Sequence, residues 1–332
     1  MHGDIFEIYL LKGENVLDFA SNLNPFRPRN LREKIISFVD SSFFYPHNDY
    51  TTLIDAISQS TGWDSRNIVF GNGSIELIEF FFRVLRRDVA IVQPTFTEYE
   101  RFARIYGLRV YDLEWDIDGI ISFVREKRPE GLVICNPNNP TGQYFRKSEM
   151  DEISECCISS GTRFMVDQAF MDFVKPYDVD AFQIRSLTKI LGIPGLRFGY
   201  GFFPDDCGKN FHEVRMPWNV NGIARAVAEE YLPKLRAFSR YARRKIGKER
   251  YHLIRRLKKL GFGSSGRANF LLCHGKYGAD ELFTFLENKG IIIRKCMDFK
   301  FLTENHFRLA IRKREENRMF LKSLEVFVQK NS

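Results

Sequence analysis

The chain has 332 residues, of which 44% are hydrophobic and 28% charged, and its formal net charge is +8. Such a length exceeds one ordinary domain and predicts about two. No apolar run approaches the roughly 20 residues that cross a bilayer, and the start lacks a signal peptide's charged and apolar regions, so we expect a cytoplasmic protein without membrane contact. The six cysteines form no C-x-x-C pair, which is typical of reduced thiols in a cytosolic protein.

The excess positive charge is compatible with binding to nucleic acid, to an anionic surface or to a phosphorylated small molecule. Its densest stretch, residues 234–259, has helical periodicity and is most simply a solvated helix face. No zinc-ligand spacing, RNA-binding signature or strip of interleaved basic and aromatic residues accompanies it. We therefore expect no nucleic-acid partner and no metal site.

From about residue 67 to residue 203, short apolar runs alternate with segments of helical periodicity. The predicted strands are 67–70, 88–93, 131–135, 163–166, 182–186 and 198–203. The predicted helices are 75–85, 97–106 and 148–159. Continuous apolar strands separated by helices indicate an α/β fold with a mainly parallel sheet that is covered on both faces.

The pattern changes after Trp218. A long basic helical region extends to Leu260, and a shorter mixture of strands and helices follows. The predicted elements there are strands at 268–273, 291–294 and 306–311, and helices at 280–289 and from residue 315 onward. They indicate a second, smaller α+β domain. We expect residues 40–220 to form the large domain, and residues 1–39 together with 221–332 to form the small one.

Polar residues stand at the ends of predicted strands, where open parallel sheets bind ligands. The turn from Gly71 to Ser74 lies between a strand and a helix. Its backbone N–H groups are able to meet an anion there, although a plain tight turn is the more common explanation. Asp167 directly follows an apolar run and is either a helix cap or an active-site acid.

Lys189 lies in an apolar segment with several glycines, from Arg185 to Tyr200. Burial there would lower its pKa and make its amine a nucleophile toward carbonyl groups, whereas an outward-facing loop lysine is the commoner alternative. Arg197 is a second cation in the same segment. Two cations in apolar surroundings need an anion, and a cofactor phosphate would serve.

Four motifs in this order resemble those of the class I/II aminotransferases, which are pyridoxal-phosphate-dependent enzymes of fold type I. They are Asn136-Pro-Asn-Asn-Pro-Thr-Gly142, Asp167-Gln-Ala-Phe170, Ser186-Leu-Thr-Lys189 and Arg197-Phe-Gly-Tyr200. The resemblance covers nearly the whole chain. It implies a mainly parallel central sheet in a large domain, a smaller α+β domain, pyridoxal 5'-phosphate as cofactor, and a homodimer with shared active sites.

The resemblance implies a role for each matching residue in holding the cofactor. Lys189 would carry the cofactor as a Schiff base, and Asp167 would keep the ring nitrogen protonated, so that the ring withdraws electrons. Asn139 would hydrogen-bond the 3-oxygen of the ring, Phe96 would stack on the ring, and Phe170 would lie beside it. The residues implied for the cofactor phosphate are Gly73, Ser74, Ser186, Arg197 and, from the neighbouring subunit, Tyr45.

For the substrate, the resemblance implies that Arg308 grips the α-carboxylate, while the loop with Asn22 and Asn24 sets its orientation. The candidate residues for a substrate phosphate are His2 and Arg294. Arg312 shares a strand face with Arg308, but a surface salt bridge explains it equally well.

Several segments are more similar to one branch of the family, the L-threonine-O-3-phosphate decarboxylases of cobalamin biosynthesis. The more discriminating segments are Met216-Pro-Trp218 and Ile293-Arg-Lys-Cys296. Phe170 favours the same branch, because the aminotransferases usually have a tyrosine there, whose hydroxyl touches the ring 3-oxygen. These features imply decarboxylation of L-threonine O-3-phosphate, a small phosphorylated amino acid, to 1-amino-2-propanol O-2-phosphate.

Two other interpretations stay open. One is a histidinol-phosphate aminotransferase or a related aminotransferase. The other is a binding or regulatory protein that keeps the fold without catalysis, against which the intact set of Lys189, Asp167 and Asn139 argues. The sequence departs from the decarboxylase pattern at Gln168 and Asp4, where that branch has glutamate and glycine.

Overall fold

A computed structural model describes residues 16–204 and 207–331 of the chain. Its centre is a seven-stranded sheet in the order β2-β8-β7-β6-β5-β3-β4. The strands are β2 (Ile68–Asn72), β3 (Asp88–Val92), β4 (Arg109–Leu113), β5 (Gly131–Cys135), β6 (Arg163–Asp167), β7 (Phe182–Ser186) and β8 (Phe198–Phe202). All neighbours pair in parallel except β8, which runs antiparallel to both β2 and β7. The prediction of a mainly parallel sheet is therefore confirmed.

Twelve helices are described. They are α1 (Leu31–Ser37), α2 (Thr51–Thr61), α3 (Ser74–Arg83), α4 (Glu98–Ile105), α5 (Ile117–Lys127), α6 (Lys147–Ser160), α7 (Leu187–Leu191), α8 (Cys207–Val214), α9 (Gly222–Tyr231), α10 (Leu235–Lys259), α11 (Ala279–Glu287) and α12 (Arg314–Lys330). Among the described residues, no helix has both the length and the apolar character needed to cross a membrane.

The central strands were predictable because they are buried on both faces. Every residue of β5 is buried, and such strands appear in the sequence as continuous apolar runs. The edge strand β4 was missed, since none of its residues is fully buried and it includes the polar Arg109 and Asp112. An edge strand has a neighbour on one side only, so its sequence shows a weaker pattern.

A smaller sheet has the order β12-β13-β10-β9 and is antiparallel throughout. Its strands are β9 (Gly263–Ser265), β10 (Phe270–His274), β12 (Arg294–Lys295) and β13 (His306–Ala310). A separate parallel pair joins β1 (Leu17–Asp18) to β11 (Ile291–Ile292), so an early segment of the chain pairs with a late one. The single strand predicted at 291–294 is therefore two short strands in different sheets.

One hydrophobic core connects the two sheets. It includes Phe70 and Phe198 from the large sheet and Phe270 and Phe307 from the small one. The ring of Phe170, which follows β6, packs edge-on against Phe270 with the ring centroids 4.9 Å apart. Truncating one such buried phenylalanine typically lowers the free energy of unfolding by about 3–5 kcal/mol. This continuous packing holds the small sheet at a constant position beside the carboxyl ends of the large sheet's strands.

Candidate active site

A pocket of about 680 Å³ opens at the carboxyl ends of the parallel strands. This is the place where open α/β sheets bind ligands. It brings together residues that are far apart in the sequence. Those of its lining residues that the sequence singled out are Asn22, Gly73, Ser74, Phe96, Asn139, Asp167, Phe170, Ser186, Lys189, Arg197, Arg294 and Arg308.

One end of the pocket is suited to an anion. The N-terminus of α3 begins there at Ser74, and helix N-termini carry free N–H groups and partial positive charge. Gly73 has φ +83°, and a Cβ atom on it would lie 2.5 Å from Nη2 of Arg197. Gly199 admits no side chain either, because its Cβ would lie 2.2 Å from the Ser74 nitrogen. The two glycines thus let the backbone and the guanidinium converge.

Two buried hydroxyl groups line the same pocket. The Ser186 and Thr188 oxygens lie 2.8 Å apart and share a hydrogen bond. Ser186 is the last residue of β7, and Thr188 precedes Lys189 on the short helix α7. These hydroxyl groups are neutral donors in addition to the cationic and backbone donors described above. A bound phosphate group has several acceptor oxygens and needs such a set of donors.

Asp167 is the last residue of β6 and is buried. One carboxylate oxygen accepts a hydrogen bond from the Tyr99 hydroxyl at 2.6 Å, and the other accepts from the Ala169 N–H at 2.9 Å. Burial raises the pKa of Asp167, while these two donors and the charge of Lys189 oppose the rise. Its carboxylate faces the pocket in a defined orientation.

Lys189 on α7 is partly exposed to the same pocket, where its amine is enclosed. Burial, followed by the charges of Arg308 and Arg197, lowers the pKa of its amine to about 8, and Asp167 partly offsets this. The amine lies 6.0 Å from the centroid of the Phe170 ring. A neutral amine in an enclosed site is a nucleophile toward carbonyl carbons.

Arg308 on β13 reaches from the small sheet across to the large one. It donates hydrogen bonds to Oδ1 of Asn139 and, at 2.7 Å, to the carbonyl of Ala20. Burial lowers its pKa to about 10. Its Nε atom is buried without a hydrogen-bond partner among the described residues. A buried guanidinium with a donor left over is suited to an anionic ligand.

The two asparagines of the early loop occupy different positions. Asn22 lines the pocket, and its Oδ1 is buried without a partner among the described residues. Asn24 lies behind the pocket instead. Its amide donates to the carbonyl of Ile190 at 2.8 Å, and its backbone N–H donates to the Lys189 carbonyl at 3.1 Å. Asn24 therefore fixes the lysine-bearing helix and is not among the pocket residues, and its role toward a substrate stays a prediction.

Arg294 lines the pocket but already has an anionic partner. Its Nη2 lies 2.6 Å from a carboxylate oxygen of Asp298, and its guanidinium lies over the Phe299 ring at 5.1 Å. Arg312, by contrast, pairs with Glu316 at 2.7 Å on the same segment and is not among the pocket residues. The surface salt bridge considered for Arg312 is thus the contact observed.

Besides Asn24, one described residue of the predicted set, Tyr45, is not among those that line this pocket. Tyr45 is 81% exposed, and its ring packs against Trp218 with centroids 4.7 Å apart. His2 lies outside the described residues. Within the described part of the chain, no group of three histidine, cysteine, aspartate or glutamate side chains is arranged to hold a metal ion.

The sequence analysis missed Tyr99 and Thr188. Tyr99 stands three residues after Phe96, and their rings meet edge-on at 5.6 Å. Phe96 lies just before α4 and Tyr99 lies in its first turn, and this close spacing was the available signal that the two side chains meet. The partner of Tyr99, however, is 68 positions away in the sequence.

A lysine with a lowered pKa and a buried aspartate beside an anion cradle define the site of a fold type I pyridoxal-phosphate enzyme. The comparisons identify the family. The model "Aminotransferase class I and II" matches residues 14–324, and the chain belongs to this family.

Curated relatives carry two different names. A Caldanaerobacter subterraneus protein with the provisional name threonine-phosphate decarboxylase is 33% identical, over 94% of this chain and 92% of its own. The Salmonella typhimurium threonine-phosphate decarboxylase is 30% identical, over 94% and 91%. A Clostridium novyi histidinol-phosphate aminotransferase is also 30% identical, over 87% and 85%. Among solved structures, the Clostridium acetobutylicum histidinol-phosphate aminotransferase has a TM-score of 0.88 at 28% identity, covering 95% of this chain and 100% of that one.

Pyridoxal phosphate is accordingly the cofactor, and the described residues fit it. Lys189 offers an amine for its aldehyde, and Asp167 offers a buried carboxylate for its ring nitrogen. The cradle of Gly73, Ser74 and Arg197 has the donors and the backbone clearance that a phosphate group needs. Glycine at 73 is required there by both its φ angle and its contact with Arg197.

We predict that Lys189 captures the cofactor covalently and that capture depends on an unusually low pKa. The neutral amine is the nucleophile, so the capture rate by cofactor-free protein should rise with pH through about 8, below the roughly 10.4 of an ordinary lysine. Stopped-flow absorbance measures this rate. Borohydride reduction should then fix the label on the peptide containing Lys189, and Lys189→Ala should show neither capture nor turnover. A label on another lysine would disprove the assignment.

Proposed function

We propose that the protein decarboxylates L-threonine O-3-phosphate to 1-amino-2-propanol O-2-phosphate, a precursor of the cobalamin side chain. The observation that carries the proposal is Phe170. The side chain that follows Asp167 at the pocket has no hydroxyl and is 4% exposed, packed against Phe270. It cannot donate to the cofactor ring, as the tyrosine usual in the aminotransferases does. Relatives named as threonine-phosphate decarboxylases support the same reaction.

A histidinol-phosphate aminotransferase is the second candidate. Relatives with that name reach 30% identity, which is close to the value for the decarboxylases. Both candidate substrates carry a phosphate ester. The pocket's charge is compatible with either, because five cationic side chains line it against two carboxylates. The cations are Arg101, Lys189, Arg197, Arg294 and Arg308, and the carboxylates are Glu98 and Asp167.

The protein's own residues would direct the reaction. Bound pyridoxal phosphate supplies an aldehyde that joins the substrate amine and a ring that withdraws electrons from the α-carbon. The bond that breaks is the one perpendicular to the ring, so a decarboxylase must hold the α-carboxylate there. Arg308 is placed to do so, since it lines the pocket and its buried Nε donor has no partner among the described residues. Asn22 lines the same pocket, but its unpartnered atom is the acceptor Oδ1, which suits a hydrogen-bond donor of the substrate rather than a carboxylate. Lys189, with a pKa of about 8, would return a proton to the α-carbon.

The decisive experiment compares two substrates. We expect purified enzyme with pyridoxal phosphate to release CO2 from L-threonine phosphate without any keto acid. Histidinol phosphate with 2-oxoglutarate should give no glutamate. The Phe170→Tyr variant should lose part of its decarboxylase rate, because a new hydroxyl would alter the electronics of the ring. Glutamate formation together with absent CO2 release would establish the aminotransferase instead.

Arg294 is our candidate for clamping the substrate phosphate. After CO2 leaves, the electron pair at the α-carbon lies next to a carbon with a phosphate ester, and phosphate is a good leaving group. Elimination requires the C–O bond to align with the ring's π system. A cation that holds the phosphate would keep this bond near the ring plane and suppress the side reaction. The alternative is that Arg294 only pairs with Asp298, the contact that the structure contains.

We predict that Arg294→Ala raises substrate KM about tenfold or more and releases inorganic phosphate with each turnover. Amine product and free phosphate should be measured side by side, with Arg312→Ala as the control, because its ion pair with Glu316 is not at the pocket. Asp298→Asn separates the two roles. This variant removes the ion pair but keeps the cation at position 294, so the clamp model expects it to form amine product without releasing inorganic phosphate. A folded Arg294→Ala enzyme with unchanged KM and no phosphate release would contradict the clamp.

We also propose a homodimer with shared active sites. One supporting observation is that Tyr45 does not line the pocket of its own chain. The other is a patch of exposed apolar side chains around Tyr45. The patch consists of Phe43, Phe44, Tyr45, Met216 and Trp218, each between 47% and 81% exposed. Clustered exposed aromatic residues are typical of protein interfaces. In a dimer, Tyr45 would serve the partner's cofactor.

We expect two inactive variants to complement each other. A Lys189→Ala protomer has an intact Tyr45, and a Tyr45→Ala protomer has an intact Lys189, so a mixed dimer would contain one complete site. Activity should therefore recover toward about half the wild-type value per dimer when tagged heterodimers are isolated, because one of the two sites is complete. Verified heterodimers that stay inactive would count against a shared site.

A further inference from the structure

We propose that Tyr99 is a positioning residue, which holds Asp167 in its ionised form and aims it at the ring nitrogen of pyridoxal phosphate. The inference rests on the proposed role of Asp167, but not on whether the enzyme decarboxylates or transaminates its substrate. Tyr99 itself is not among the residues that line the pocket. It would act on the reaction entirely through the carboxylate.

The geometry leaves Asp167 little freedom. The Tyr99 hydroxyl donates to Oδ2 at 2.6 Å, while the N–H of Ala169 donates to Oδ1 at 2.9 Å. With one donor on each oxygen, rotation about the last side-chain bond would break at least one hydrogen bond. Both Tyr99 and Asp167 are at most 4% exposed, so water cannot readily replace either donor.

The position of Tyr99 is itself well determined. Its ring packs edge-on against Phe96 at 5.6 Å and stacks on Phe82 at 6.4 Å. Phe82 belongs to α3, the helix whose N-terminus lies at the anion cradle. The segment at the start of α4 thus presents the ring of Phe96, just before the helix, to the pocket and the phenol of Tyr99 to the carboxylate behind it. The phenol stays protonated, because burial and the charge of Asp167 both raise its pKa.

A shared proton makes this hydrogen bond chemically important. The carboxylate and the ring nitrogen compete for one proton, and the ring withdraws electrons well only when the nitrogen holds it. Burial already makes Asp167 more basic, and the Tyr99 hydrogen bond opposes that. Without the phenol, the proton would shift from the ring nitrogen to the carboxyl group.

A simpler explanation is that Tyr99 only satisfies a buried carboxylate. In that case its removal would lower stability and leave the ring's protonation unchanged. The two explanations differ in a spectroscopic signal from the cofactor, which a purely structural role would not move.

The test uses holoenzyme loaded with pyridoxal phosphate labelled with 15N at the ring nitrogen. In Tyr99→Phe, we expect the 15N resonance to move toward that of a neutral pyridine. We also expect kcat to fall about tenfold or more, with KM changed less than about twofold, because a hydrogen bond to a charged group is lost rather than a substrate contact. Tyr50→Phe is the matched control. Tyr50 is 1% exposed, and its hydroxyl donates to the Val220 carbonyl at 2.9 Å, not to a carboxylate.

Two further variants keep the outcomes distinct. Asp167→Asn should move the 15N signal further than Tyr99→Phe does. If Asp167→Asn leaves the signal in place, the role of Asp167 and the inference on Tyr99 both fail. If Asp167→Asn moves the signal and Tyr99→Phe does not, only the inference on Tyr99 is overturned. Should Tyr99→Phe not fold, 4-aminophenylalanine at position 99 preserves the shape and replaces the phenol with a weaker donor, so the signal should move toward that of a neutral pyridine. An unchanged signal would overturn the inference.

Discussion

Two opposite charges buried at one edge of the sheet, those of Asp167 and Lys189, set the conditions for the rest of the site. Removal from water acts against both charged forms, raising the pKa of the carboxyl group and lowering that of the amine. The neighbouring groups then affect the pKa values of the two groups differently. Asp167 receives two hydrogen bonds that favour its ionised form, whereas Lys189 faces the cations Arg308 and Arg197. The result is a carboxylate able to stabilise a cation and an amine able to lose its proton near neutral pH.

The small sheet contributes one of these two cations, Arg308, and a further arginine, Arg294, that lines the pocket. Arg308 and Arg294 are register partners on adjacent strands, so their side chains lie on the same face and point toward one pocket wall. Arg308 also binds the Asn139 loop and the Ala20 carbonyl, which ties three distant segments together. On the outside, Lys300 pairs with Glu100 at 3.0 Å and with Asp112 at 2.8 Å. Such partly exposed pairs contribute little singly, so the buried Arg308 contacts matter more for the position of the small sheet.

The choice between decarboxylation and transamination would depend on small differences among the residues around the cofactor. Decarboxylation and transamination differ in which bond of the α-carbon stands perpendicular to the cofactor ring. A rotation of the substrate decides this, and the cations on the small-sheet wall would control it. Phe170 would affect the electronics of the cofactor ring, since its buried phenyl group has no hydroxyl to donate to that ring. A pocket with a cationic surplus and one missing donor is thus compatible with a phosphorylated substrate and with altered ring chemistry.

Much of the fold and part of the site were readable along the chain. Buried parallel strands and amphipathic helices leave periodic apolar patterns, so most central strands and their order of occurrence were predictable to within a few residues. The motif loops around Asn139, Asp167, Lys189 and Arg197 were recognisable because each is contiguous in the sequence, and the structure places all four residues in one pocket.

Only the tertiary structure decided which side chains meet. Periodicity reports that a residue is buried, but not against what, because the partner comes from a different element. Tyr99 and Asp167 are 68 positions apart, and Arg308 and Asn139 are 169 apart. The same limit explains Asn24, which holds the lysine-bearing helix through a residue 166 positions away instead of lining the pocket. Hydrogen-bond direction and charge pairing are set by the packing of distant segments, and a linear pattern does not contain that information.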